Sequence, residues 1–317
     1  MGPTEQTIFE QFPYWRKATA PLAPLADADV TVFVGCGTSY NLALSLAALA
    51  NASGRAALAV PGGEWANRRQ SYWAGKGTVH VVALSRSGET TETIAAAKAS
   101  RAAGMFVTGI TPEPDSALAA HSDRLVVADT DGREGIVMTT SASLMLLLGI
   151  NLIGHAVSSD AIASAQSLLG EVDAKVPALI GGRSHFVYLG GGPLYGIGVE
   201  GALKLMEMSQ AFTQAFHPLE YRHGPISLVD GRTAVVLLYS HDQRKAEARL
   251  ATELRDKGAV VIGFGGEGDA SFAAPSDPAL APLVYLPALQ LIGERVAQSR
   301  QLDTAAPRHL TKVVTLS

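Results

Sequence analysis

Short apolar runs alternate with longer alanine-rich stretches along almost the whole chain. That alternation predicts βαβα units and a parallel sheet lying between helices. Val79-His80-Val81-Val82-Ala83-Leu84 reads as a buried strand. The alanine-rich run after it, as far as Ala103, has the propensity of a helix. The longest apolar run, residues 142–154, is too short to span a bilayer and carries Asn151, so it predicts a buried helix.

The pattern occurs twice. Phe33-Val34-Gly35-Cys36-Gly37-Thr38-Ser39-Tyr40 is echoed by Tyr188-Leu189-Gly190-Gly191-Gly192-Pro193-Leu194-Tyr195. Ala103-Gly104-Met105-Phe106-Val107-Thr108-Gly109-Ile110 is echoed by Lys257-Gly258-Ala259-Val260-Val261-Ile262-Gly263-Phe264 at nearly the same spacing. Two echoes in one register predict a duplicated α/β unit, with the boundary in residues 158–178, where a helical pattern ends near Pro177.

Between the Val79–Leu84 strand and its helix lies Ser85-Arg86-Ser87-Gly88-Glu89-Thr90. A helix start offers unpaired backbone N–H groups and the positive end of the dipole. Ser85, Ser87 and Thr90 add short donors, so the loop reads as a phosphate site. The plainer alternative is helix capping. Glu89 and Glu92 would repel a phosphate unless they point away. The second copy has Tyr239-Ser240-His241-Asp242 at this place, so any phosphate belongs to the first copy. Gly35 and Gly37, like Gly190 and Gly192, let backbone approach a ligand at a strand's carboxyl end. A dinucleotide site is the rival reading, through Gly190-x-Gly192 with Gly196. Neither copy has the full glycine spacing or the acidic residue closing a second strand, so no cofactor is expected.

Composition narrows the partners. The 317 residues suffice for two domains, and 47% hydrophobic with 17% charged residues is ordinary for a globular protein. A net charge of -4 without a basic cluster argues against nucleic acid. The one cysteine, Cys36, allows neither an intrachain disulfide nor a thiolate metal cage. Residues 1–17 lack an apolar signal core, and a cytoplasmic, membrane-free protein is expected.

Three further segments carry candidate chemistry. Glu200, Lys204 and Glu207 share one stripe of a helix. They form either a solvated face joined by a Glu200–Lys204 pair or, among Leu203, Leu205, Met206 and Met208, a partly buried carboxylate cluster suited to proton transfer. His223 precedes Gly224-Pro225 on an expected tight turn. The tail, residues 304–314, carries Lys312 and ends in a short apolar, strand-like run. No His, Asp or Glu pair has metal-ligand spacing, so no metal is expected.

Together, Cys36-Gly37-Thr38-Ser39, Ser85-Arg86-Ser87-Gly88-Glu89-Thr90, Glu200-Gly201-Ala202-Leu203-Lys204-Leu205-Met206-Glu207, Arg222-His223-Gly224-Pro225 and Pro307-Arg308-His309-Leu310-Thr311-Lys312 resemble the isomerase half of glucosamine-6-phosphate synthase. The resemblance runs from about residue 25 to the end and implies two tandem sugar isomerase (SIS) domains, each an α/β, doubly wound, flavodoxin-like parallel sheet. The implied boundaries are a helical extension 1–27, a first domain 28–157, a helical linker 158–182, a second domain 183–302 and a tail 303–317. It implies that Gly37, Thr38, Ser39, Ser85, Arg86, Ser87 and Thr90 hold a sugar phosphate, with Arg86 where the synthase commonly has glutamine. Val137 and Thr139 would lie near the sugar hydroxyls, although Ser141 replaces a synthase lysine. Glu207 would be the base moving a proton between C1 and C2, His223 would assist ring opening from the neighbouring subunit of a homodimer, and Lys312 would meet the open-chain carbonyl. Glu200, Lys204 and Arg308 would support them.

With Gly2 at residue 2, no counterpart of the synthase's glutaminase domain is expected, so ammonia is not expected to be drawn from glutamine by this chain alone. The expected activity is therefore that of an amino-sugar 6-phosphate isomerase and deaminase. The alternatives are a plain aldose–ketose isomerase, a fructosyl-amine 6-phosphate deglycase, the isomerase subunit of a split aminotransferase, and a non-catalytic sugar-phosphate sensor. All but the sensor require the anion loop of the first copy and Glu207 of the second to reach one hexose.

Overall fold

Among residues 1–313, which the computed structural model describes, two parallel five-stranded sheets carry the fold. The first contains β1 (Val30–Gly35), β2 (Ala57–Pro61), β3 (Val79–Leu84), β4 (Phe106–Ile110) and β5 (Arg124–Val126) in the order β2-β1-β3-β4-β5. The second contains β6 (His185–Gly190), β7 (Phe212–Phe216), β8 (Thr233–Leu238), β9 (Val260–Phe264) and β10 (Ala270–Phe272). Its order, β10-β9-β8-β6-β7, is the same order read from the opposite edge. Both sequence echoes fall on matching strands, the glycine turn after β1 and β6 and the approach to β4 and β9. The duplication legible in the sequence is thus a duplication of topology.

The central strands β3 and β8 are buried along their whole length, which is why they read as continuous apolar runs. In the first sheet Val32, Val34, Val81, Ala83 and Val107 pack with Trp65, Ala96 and Ala97. Each such buried side chain larger than alanine contributes about 1.5–3 kcal/mol relative to exposure. The apolar run of residues 142–154 forms the helix Thr140–Ile153, which packs against helix Thr38–Ala52. The second sheet repeats the arrangement with Val187, Leu189, Val235, Leu237 and Val261 against Leu250, Ala251 and Leu254.

The chain groups into two units. One gathers Pro13–Glu134, Thr140–Val157 and the described tail from Thr311; the other gathers Met1–Phe12, Gly135–Thr139 and Ser158–Leu310. The segment expected as a helical linker forms the helix Ser159–Lys175, which packs on helix Ala281–Ser299. Its apolar stripe (Ile162, Ala165, Leu168, Leu169 and Val172) is buried there. The first helix, Pro3–Phe9, joins the same unit: Arg295 pairs with both Glu5 and Asp173 at 2.6 Å. The strand-like end expected at Val313-Val314 lies partly outside the described residues, as residues 314–317 do.

His80, inside β3, is 1% exposed, and its Nε2 lies 2.8 Å from Thr108 Oγ1. Burial, helped by Arg55 and Arg124, pushes its imidazole down to about 4. An unfolded histidine takes up its proton near pH 6.5, so between these values the unfolded chain holds more protons. Stability from this residue is therefore full above pH 6.5 and falls toward pH 4, by roughly 3 kcal/mol in all. Thermal melts between pH 7 and pH 4.5 should show a smaller acid-induced drop in Tm for His80→Gln than for the native chain.

Candidate active site

In the first unit the crevice follows from strand order. β1 lies between β2 and β3, so the chain leaves β1 toward one side and returns on the other. The loops after β1 and β3 diverge at the carboxyl ends and leave an opening there. Gly37, at φ 54 and ψ −126, takes the chain from β1 into helix Thr38–Ala52 in a conformation closed to residues with a Cβ. Thr38 and Ser39 follow in the first helical turn, both buried. Cys36 sits beside them, 3.6 Å from Thr93 Oγ1, and burial pushes its thiol up.

The 85–90 loop folds on its own hydroxyls. Ser85 Oγ accepts from Gly88 N at 3.1 Å and lies 3.2 Å from Thr90 Oγ1, while Ser87 Oγ accepts from Glu89 N at 3.1 Å. Thr90 is the N-cap residue of helix Thr91–Ala102, yet its side chain makes no capping bond. Simple capping therefore does not account for this hydroxyl. Gly88 is obligatory here: φ is +63, and a Cβ would stand 2.2 Å from Ser116. Glu89 turns away from the loop, its Oε1 accepting from Ala117 N at 2.7 Å. The repulsion expected from that carboxylate is thereby relieved.

Arg86 projects from the same loop. Its Nη1 lies 3.4 Å from Glu134 Oε1, and its Nη2 donates to the Lys312 carbonyl at 2.8 Å. Glu134 also accepts from Ser141 N at 2.9 Å and from Ser141 Oγ. Sequence reasoning missed Glu134, because in Asp131-Gly132-Arg133-Glu134-Gly135 nothing distinguishes it from a solvated turn.

The equivalent place in the second unit is already filled. Gly192 repeats the Gly37 backbone, φ 54 and ψ −129, ahead of helix Pro193–Ser209. After β8, however, both Ser240 N and Ser240 Oγ donate to the Glu247 carboxylate, at 2.7 and 2.9 Å. Glu247 is buried, and that burial pushes its carboxyl up. A side-chain anion thus takes donors that could otherwise meet a phosphate, consistent with the missing hydroxyl-and-glycine pattern.

Helix Pro193–Ser209 carries Glu200, Lys204 and Glu207 on one stripe. Lys204 is 1% exposed and stands 3.6 Å from Glu200, which is fully buried; it also donates to Glu207. The solvated-face reading is therefore excluded. Of the three, Glu207 alone reaches the surface, with 20% of its side chain exposed. His223 stands exposed on the turn after Glu220–Arg222, and Arg308 is exposed on the turn around Pro307. Thr139 points its hydroxyl at Thr7 Oγ1, 2.7 Å away, and its carbonyl accepts from Gln290. Val137 packs against Met208 and Ala297. Among the described residues no cluster of His, Cys, Asp and Glu could hold a metal, and no helix is long and apolar enough to cross a membrane. Lys204→Met would leave Glu200 without its buried counter-charge, at a cost of about 3–5 kcal/mol. Urea unfolding should show that loss, and adding Glu200→Gln should recover part of it.

Comparisons with known proteins agree with the duplicated fold. A family model described as SIS domain matches residues 24–152 and 179–282, one segment over each sheet. The crystal structure of glucosamine-6-phosphate deaminase from Thermotoga maritima superposes with a TM-score of 0.88 at 31% identity, covering 99% of this chain and 100% of that one. A glutamine–fructose-6-phosphate aminotransferase from Sulfurisphaera tokodaii is 27% identical over 304 residues, 92% of this chain and 51% of the relative. The chain thus spans about half the length of the curated relatives it matches. The tagatose-6-phosphate ketose/aldose isomerase of Escherichia coli shares the fold, with a TM-score of 0.78 at 23% identity over 94% of this chain and 92% of that one. With a match on each of two sheets of identical strand order, the chain belongs to the SIS-domain family.

Proposed function

We propose that this protein is a phosphosugar isomerase that converts glucosamine 6-phosphate and water into fructose 6-phosphate and ammonia. The observation that carries the reading is the Glu200–Lys204–Glu207 cluster, a buried charge network with one carboxylate at its exposed end. Full-length similarity to a glucosamine-6-phosphate deaminase supports the choice of substrate. The phosphate would rest on Ser85, Ser87 and Thr90 with Ser39 and the Gly37–Thr38 turn. Anchored far from the reacting carbons, it supplies binding energy and register.

Ring opening, assisted by His223, exposes the C1 aldehyde. Glu207 removes the proton from C2, and the electron pair moves toward the carbonyl to give an enolamine. The same carboxylate returns the proton to C1, leaving an imine at C2. Water adds to that imine, the C–N bond breaks, and ammonia leaves with the ketose behind it. Lys312, as an ammonium, would stabilise the negative charge growing on O1. Lys204 fixes the Glu207 rotamer by its ion pair, so the base is held ready rather than recruited.

Glu207→Gln should lower kcat by roughly 10²–10⁴-fold, the usual share of a positioned base. Glucitol 6-phosphate, which lacks the reacting carbonyl, should bind this variant with native affinity by calorimetry. Near-native turnover would rule out the role given to Glu207. Ammonia release from glucosamine 6-phosphate, followed with a coupled dehydrogenase, tests the nitrogen chemistry separately. Ketose–aldose exchange without ammonia would indicate the plain isomerase instead.

A further inference from the structure

The chain segment bearing Lys312 has little to hold it by burial. Residues 308–313 are exposed throughout, including Leu310 and Val313. Directional bonds hold it instead, in both directions. Arg86 Nη2 donates to the Lys312 carbonyl at 2.8 Å, and Lys312 Nζ donates to the Glu134 carbonyl at 3.0 Å. Arg86 is aimed by its pair with Glu134, whose side chains are only 10% and 3% exposed. Glu134 is aimed in turn by Ser141 N and Ser141 Oγ, in the first turn of helix Thr140–Ile153. That helix end also favours a negative charge. Finally, Thr111 Oγ1 donates to the Arg86 carbonyl at 3.3 Å, tying down the loop itself.

We infer that Arg86 and Glu134 form a latch that docks the tail on the phosphate loop and sets the position of the Lys312 ammonium. Both are positioning residues in this respect, since each acts on the reaction through Lys312. A lysine side chain has many rotamers, and confining them costs entropy. The latch reduces that freedom twice, by fixing the Lys312 backbone and by giving Nζ an acceptor. One charge pair thus links the anion-binding loop to the candidate electrophilic group within a single unit. The kinetic consequence rests on the role proposed for Lys312; the docking does not.

Two variants test it. Arg86→Ala removes the bond to the Lys312 carbonyl. Glu134→Gln keeps an acceptor for Ser141 N and the backbone carbonyl for Lys312, but loses the ion pair with Arg86. Trypsin cleaves after Lys312 only when that carbonyl is released into an extended strand. In native buffer, with folding checked by Tm, mass spectrometry should show the peptide that follows Lys312 leaving roughly tenfold faster or more from each variant, since cleavage tracks the open population. For Glu134→Gln, kcat on glucosamine 6-phosphate should fall roughly tenfold, the kinetic equivalent of one lost charge-assisted bond, with KM nearly unchanged. Native cleavage rates in both variants would overturn the latch, whatever happens to kcat. Faster cleavage with native kcat would support the latch and overturn the role of Lys312. Should Glu134→Gln fail to fold, Arg86→Ala decides alone, because Arg86 does not cap the helix that Glu134 caps.

Discussion

Strand order is the constraint from which the rest follows. In each sheet the first strand of the repeat sits inside, flanked by the second and third, so successive connections leave it in opposite directions. Parallel strands joined by right-handed crossovers then place helices on both faces and open a gap at one pair of carboxyl ends. Gly37 and Gly192 hold the same backbone turn at that gap in the two copies. The positions of the 85–90 loop and of Ser240 are consequences of the same reversal. No side chain chooses them; topology does.

Charge is what makes the duplicated gaps unequal. In the first, Glu89 swings onto Ala117 N, and the helix start at Thr90 keeps no side-chain cap. In the second, Glu247 swings in and takes both donors of Ser240. A buried carboxylate is costly to desolvate, and two good hydrogen bonds are the ordinary compensation. One repeated backbone pattern thus yields a loop proposed to receive an anion and a self-occupied one, through the placement of single acidic residues.

The Lys204 cluster shows a second use of buried charge. An ammonium 1% exposed between two carboxylates is more costly to assemble than an apolar contact of the same size. What it provides is orientation, because Glu207 is tied to a lysine that cannot move into solvent. The Arg86–Glu134 pair holds the tail through backbone carbonyls, those of Lys312 and of Glu134. In both cases the group nearest solvent is held by one that is buried, which is how a rigid support keeps a reactive group in register.

Much of this was legible in the chain. The duplication, the fully buried central strands, the glycine turns and the 85–90 loop are local patterns, set by alternation, propensity and the few residues able to adopt a positive φ. The edge strands Ala57–Pro61 and Phe212–Phe216 are only partly buried: the first is apolar but just five residues long, and Thr213-Gln214 interrupts the second. The helix Ser159–Lys175 carried its stripe openly, but sequence could not say which helix would cover it. Burial decided the rest. Glu200, Lys204 and Glu207 have the same spacing whether wet or dry, and only packing against neighbours remote in sequence made them dry. Glu134 lies 48 residues from Arg86 and 178 from Lys312. Local residue patterns determined which elements form and where an anion loop begins; the tertiary structure alone decided which charges meet, because electrostatic partners are chosen by distance in space and by the loss of water around them.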